Sequence, residues 1–212
     1  MQVTVFGATG RIGRLVVDRL LADGHDVVAF VRDPARVHRT DPRLTLLPGR
    51  LTDRAAVVEA LRGSGAVISA LGPSLRQRKR GMDLADGVRV IVTAMEAAGI
   101  DRFIGLATPS VADPRDAPHW KRTLRLVLGR AMFPHTMHEL TEMVEVITGS
   151  GLDYTLARVV TATDGPSRGP VRAGFFGHDR IGMSAPRADI ADFLVDQLTD
   201  RRFSRAMPVI SC

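Results

Sequence analysis

The chain begins with a short apolar run, Val3-Thr4-Val5-Phe6, that passes without interruption into Gly7-Ala8-Thr9-Gly10-Arg11-Ile12-Gly13. No other feature constrains the fold as much. A buried strand, a glycine-spaced turn and the start of a helix follow one another in seven further residues. Gly7 lets the chain turn, Gly10 lets backbone approach a ligand, and Gly13 lets the helix pack on the strand. The helix that follows directs its unpaired N–H groups and positive dipole end over the turn. That arrangement holds a dinucleotide pyrophosphate. The spacing is G-x-x-G-x-x-G rather than G-x-G-x-x-G, so its weight comes from the order of strand, turn and helix. Gly7, Thr9, Gly10, Arg11, Ile12 and Gly13 are the candidate pyrophosphate residues.

A second apolar strand, His25-Asp26-Val27-Val28-Ala29-Phe30-Val31, ends in Arg32-Asp33. In a dinucleotide fold an acid about 20 residues on binds the ribose 2′-hydroxyl, whereas an arginine accommodates a 2′-phosphate. Arg32 stands nineteen residues after Gly13, and Arg36 follows one helical turn later. A guanidinium grips phosphate through paired hydrogen bonds, so NADP(H) is the expected cofactor. The competing reading gives the ribose to the adjacent Asp33.

Strand-then-helix units repeat along the rest of the chain. Strands are predicted at 2–6, 26–31, 43–47, 65–70, 101–106 and 152–157, with a short one near 208–210. Helices are predicted at 11–23, 53–62, 82–98, 135–149 and 186–199. Runs such as Ala66-Val67-Ile68-Ser69-Ala70 barely alternate, which implies a sheet covered on both faces. The expected fold is therefore α/β, a doubly wound parallel sheet, in one domain spanning 1–212. Two irregular stretches interrupt it. Residues 109–134 carry Pro109, Pro114, Pro118 and Pro134 around an amphipathic segment from Trp120 to Met132. Residues 161–183 carry five glycines and two prolines and read as a small cap of loops and short strands. Ligands in such sheets sit beyond the carboxyl ends of the strands, so both stretches belong to the ligand side.

Composition excludes several classes. Hydrophobic content is 45% and charged content 25%, as in soluble globular domains. No apolar run reaches the length of a membrane span, and the first residues already form a strand rather than a signal segment. The only cysteine is Cys212, so no intramolecular disulfide forms and a reducing cytoplasm is expected. No Cys/His spacing suggests a metal. The net charge of +6 does not read as a nucleic-acid surface. The basic residues are scattered, and the one dense run, Arg76-Gln77-Arg78-Lys79-Arg80, has no interleaved aromatic. That run is either a solvated loop or a clamp on an anion. The expected partner is a small-molecule substrate, and the expected state is a monomer or homodimer.

With these pieces in place the chain resembles an atypical short-chain dehydrogenase/reductase of the NmrA-like or NAD(P)H-binding type. Its layout is similar to small flavin reductases that also reduce biliverdin. The pieces that carry the resemblance are the glycine turn, Val31-Arg32-Asp33-Pro34, Asp53, Ala70-Leu71-Gly72, Ala97-Ala98-Gly99-Ile100-Asp101-Arg102, Ser150-Gly151-Leu152-Asp153-Tyr154-Thr155 and Arg187-Ala188-Asp189-Ile190-Ala191. The resemblance implies that Thr52 and Asp53 meet the adenine and that Leu71-Gly72 lies along the cofactor. It implies that Arg158, where relatives carry Arg-Pro, borders the nicotinamide. It also places Thr108 near the nicotinamide, with Ser110 one register away; either hydroxyl could instead bond its own turn.

The main departure is an absence. The superfamily's main branch uses a Tyr-x-x-x-Lys pair for proton transfer. The single tyrosine, Tyr154, opens a buried strand and has Arg158 four positions on, so it reads as core. His138 and His135, at the start of a helix, are the remaining candidate acids. Hydride transfer to a flavin or another extended conjugated system needs no dedicated acid. The leading expectation is thus an NADPH-dependent oxidoreductase acting on a planar, conjugated small molecule such as free flavin. The alternatives are a non-catalytic NADP-binding redox regulator of NmrA type, or a pathway-specific reductase or isomerase of secondary metabolism.

Overall fold

Unbroken apolar runs form the interior of one sheet in the computed structural model, which describes residues 1–72, 84–118 and 134–212, with side chains from Met137 onward in the last stretch. The Arg76–Arg80 run, the Trp120–Met132 segment and the His135 side chain lie outside the described residues. The strands are β1 (Gln2–Phe6), β2 (Asp26–Val31), β3 (Leu44–Pro48), β4 (Ala66–Ser69), β5 (Arg102–Ala107), β6 (Asp153–Val159), β7 (Ala162–Thr163), β8 (Arg172–Gly174), β9 (Ala185–Pro186) and β10 (Val209–Ser211). The helices are α1 (Arg11–Ala22), α2 (Arg54–Leu61), α3 (Leu84–Ala98), α4 (Pro134–Thr148) and α5 (Arg187–Asp196).

Eight strands pair in the order β3-β2-β1-β4-β5-β6-β10-β8. The order reverses at β1, which pairs in parallel with β2 on one side and β4 on the other. That reversal opens a crevice at the carboxyl ends of the central strands. The register fixes what meets there. Phe6 lies opposite both Phe30 and Ser69, so Gly7, Arg32 and Ala70 all leave the sheet at one edge. Farther along that edge, Ala107 lies opposite Arg158.

Two apolar layers cover the sheet. On one face α1 and α5 pack against each other and bury Val16, Leu20, Ile190 and Leu194 against Val3, Val5 and Ala29. On the other, α2, α3 and α4 bury Val57, Val88, Ile91, Met143 and Ile147 against Phe6, Val67 and Phe103. Side chains of this kind each contribute about 1.5–3 kcal/mol when fully buried. Among the described residues no helix is long and apolar enough to cross a membrane.

One short strand of the expected cap is part of the main sheet. β8, from the irregular 161–183 stretch, joins the main sheet as an antiparallel edge against β10. Only β7 and β9 form a separate parallel pair. Strands of two or three residues carry no readable period, so Gly and Pro breakers were the only signal in that stretch.

Candidate functional site

Gly7 adopts φ +80°, a conformation glycine reaches without strain. A Cβ on Gly7 would lie 2.8 Å from the Ala70 carbonyl carbon, so the turn presses against the end of β4. A Cβ on Gly13 would lie 2.1 Å from the Gly7 carbonyl oxygen, a contact no side chain can make. The Gly10 N–H donates to the Gly7 carbonyl at 2.9 Å, and its own carbonyl receives the Arg14 N–H at 3.0 Å. Gly10 caps α1 with no side-chain bond, and the first turn holds no acid. The positive end of α1 is therefore left uncompensated by the chain itself. The Arg11 side chain is exposed and pairs with Asp164, which also accepts from Arg187 at 2.6 Å.

At the end of β2, Arg32 and Arg36 are exposed and form no ion pair among the described residues. The Asp33 carboxylate is engaged differently. It accepts the Ala35 N–H at 3.1 Å and caps a short 3-10 turn over Pro34–Arg36. Beside this turn a cleft of about 220 Å³ opens against α1, floored by Ala8, Val17 and Ala29 and walled by Arg14, Arg36, His38 and Arg39. Asp18 also lines it and stands 3.7 Å from Arg39. The cleft is basic, partly apolar and reaches Ala8 of the glycine turn. Arg14, His38 and Arg39 were not singled out in the sequence. Arg14 could have been, since it stands three residues after Arg11 on the exposed side of α1.

Thr52 and Asp53 are exposed at the start of α2, where Asp53 accepts the Ala56 N–H at 3.1 Å as its N-cap. That bond uses one carboxylate oxygen. Leu71 is half-buried and Gly72 exposed directly after β4, with nothing within 4 Å of a Gly72 Cβ.

At the end of β5, Thr108 and Ser110 are half-buried and their hydroxyls are hydrogen-bonded to each other. The Ser110 N–H donates to Thr108 Oγ1 at 3.0 Å, and the Val111 N–H donates to the Thr108 carbonyl at 3.1 Å. The two hydroxyls thus form a tight turn as well as a polar pair at the edge. Arg158, expected at the nicotinamide, points into the protein interior. It is 0% exposed and its guanidinium is consumed inside the protein. It donates to Asp116 at 2.6 and 2.7 Å, to the Val111 carbonyl at 3.0 Å and to the Met207 carbonyl at 2.5 Å. Burial raises the Asp116 carboxyl, but the Arg158 bond, N–H donors from Asp113 and Phe176 and the guanidinium charge together hold it below the ordinary carboxylate range.

His138 lies on the outside of α4, 73% exposed, 3.4 Å from Glu142. Among the described residues nothing links it to Thr108 or the glycine turn, so the structure gives it no catalytic setting. Tyr154 is buried in the core under the Arg205 guanidinium. Burial pushes its phenol above the usual value, opposite to what a proton donor at neutral pH needs. Asp113 and Asp116 escaped the sequence reading because no local pattern ties a proline-rich loop to a strand 42 residues away.

A model of the NAD(P)H-binding family matches residues 7–201 of the chain. An isoflavone reductase homologue of Zea mays is 36% identical over 111 residues, covering 48% of this chain and 33% of that protein. The chain thus spans about a third of the length of the curated relatives it matches. Among solved structures, an anaerobillin reductase from Escherichia coli O157:H7 superposes with TM-score 0.78 at 21% identity, covering 99% of this chain and 96% of that one. A short-chain dehydrogenase/reductase from Veillonella parvula in complex with NADP gives TM-score 0.78 at 17% identity, covering 100% and 94%.

Proposed function

The chain belongs to the NAD(P)H-binding family, and on that premise we propose that it is an NADPH-dependent oxidoreductase acting on a planar, conjugated small molecule, with free flavin the first acceptor to try. The observation that carries the reading is the pairing of a helix N-terminus with no side-chain cap at the glycine turn with exposed arginines that have no ion-pair partner among the described residues, beside a basic cleft. A reductase homologue matching about half of the chain supports the same class.

When bound, the dinucleotide supplies the hydride. The chain's own residues do the rest. The N–H groups of the first turn of α1 hold the pyrophosphate, and Gly7 and Gly13 keep that surface free of side chains. Arg32 and Arg36, with Arg14 across the cleft, select the 2′-phosphate. Asp33 is turned to its own backbone, which favours phosphate over a bare ribose. Thr108 and Ser110 share one hydroxyl proton between them, so one of the pair keeps a proton to give outward. That proton can orient the nicotinamide end or the acceptor. A conjugated acceptor takes its final proton from water, so the buried Tyr154 and the exposed His138 are not needed.

The test is NADPH oxidation by the purified protein with FMN as acceptor, run beside NADH and Arg32→Ala. Saturable turnover that prefers NADPH, with the preference lost in the variant, supports the reading. Tight NADPH binding without turnover on any acceptor would favour a dinucleotide-binding regulator instead.

A further inference from the structure

We propose that Arg158 and Asp116 are a positioning pair for the reaction, holding the Thr108–Ser110 turn and the Phe176 segment in fixed relation at the carboxyl end of β5 and β6. The proposal rests on the oxidoreductase reading above. Four pieces of chain meet at this pair. Arg158 closes β6 opposite Ala107, the residue before Thr108. Its Nη1 reaches the Val111 carbonyl at 3.0 Å, and the Val111 N–H in turn holds the Thr108 carbonyl. Its Nε reaches the Met207 carbonyl at 2.5 Å, just before β10. Asp116 takes the Phe176 N–H at 3.1 Å, and the Phe176 ring lies 5.5 Å from the guanidinium carbon of Arg158. Asp113 adds a second tie, accepting the Met207 N–H at 2.8 Å.

Stability alone does not account for such an arrangement. Two charges taken wholly out of water lose much of what their attraction returns, and apolar replacements of similar volume are often as stable or more so. What apolar side chains cannot do is fix direction. A guanidinium bonded through all three of its nitrogens to two segments besides its own strand, the loop of Val111 and Asp116 and the Met207 carbonyl, holds each at a set angle, and displacement of a reacting group by about 1 Å can cost on the order of a hundredfold in rate. Neither side chain is exposed, so the pair acts through the loop it holds and not by touching substrate.

The test separates position from stability. The double variant Arg158→Met/Asp116→Leu is compared with wild type in thermal melting, NADPH affinity by fluorescence, FMN turnover, and backbone hydrogen exchange. The expected result is a melting temperature near wild type, unchanged NADPH affinity, kcat lowered roughly 10- to 100-fold, and faster exchange confined to residues 108–118 and 174–178. Should the double variant fail to fold, Asp116→Asn, which keeps shape and removes charge, is read by the same four measurements. A folded variant with wild-type kcat and wild-type exchange in these segments overturns the proposal. If wild type itself does not turn over FMN, the oxidoreductase reading fails separately, and exchange in the two segments still decides whether the pair positions them.

Discussion

The same sheet edge carries arginines in two opposite states. At the end of β2, Arg32 and Arg36 are exposed and lack ion-pair partners among the described residues. At the end of β6, Arg158 is fully buried and its guanidinium is spent on Asp116 and two carbonyls. The chemistry of the side chain is identical, so the surroundings decide what it does. An exposed guanidinium keeps its bidentate fork for an incoming phosphate at little cost to the fold. A buried one has already lost its water and depends on its partner. The first region is built from glycine backbone and leaves its arginines exposed; the second is built from side chains and ties loops together.

Deleting one charge in each region gives the sharpest contrast. Asp116→Ala leaves Arg158 buried and unpaired and should cost about 3–5 kcal/mol, read as a lowered urea midpoint. A loss below 1 kcal/mol would mean that the pair is not desolvated as described. Gly13→Ala comes next. Its Cβ would lie 2.1 Å from the Gly7 carbonyl oxygen, so it should cost about 1–3 kcal/mol and abolish dinucleotide binding in a fluorescence titration. Arg32→Ala should leave melting unchanged and weaken NADPH by about 1.5–3 kcal/mol, with NADH unaffected. A large shift in melting would erase the distinction between the two regions. The smallest effect is in acid. The Asp116 carboxyl is held low in the folded protein, so its stabilisation is complete above the unfolded value near 3.9 and is lost as pH falls through the lower folded value. Asp116→Asn, less stable at neutral pH, should show a flatter decline below about pH 4.

Legibility in the sequence followed the range of the interaction. The glycine turn was readable because its strand, glycines and helix adjoin, and the contact that demands glycine at position 13 is with Gly7, six residues before it. The strands β1 to β6 were readable because both faces of the sheet are covered and their apolar runs are continuous. Arg32 could be placed from its distance to Gly13 alone. Arg158 could not, because its meaning depends on Asp116 and Met207, 42 and 49 residues away. Thr108 and Ser110 follow β5 as the sequence indicates, yet whether they form a turn or face a ligand depends on how Val111 is held. Short strands were expected in 161–183, but three residues of β8 hold no period from which its pairing with β10 could be read.

The docking of β10 on β6 bears on kinetics. Val209 pairs with Arg158 across 51 positions, while β1 and β2 pair across 24. Each doubling of a closing loop adds only about 0.6 kcal/mol of entropy, so this distance, equal to the 51 positions between Arg102 and Asp153 and shorter than the 63 between Val3 and Ala66, costs little extra. Until residues 206–209 dock on β6, the Arg158 guanidinium has neither the Met207 carbonyl nor a dry surrounding. Interactions absent at the rate-limiting barrier speed unfolding when they are removed, and those already present slow folding. The two kinetic limbs of Asp116→Asn therefore read whether this corner docks before or after that barrier: faster unfolding at an unchanged folding rate places it after.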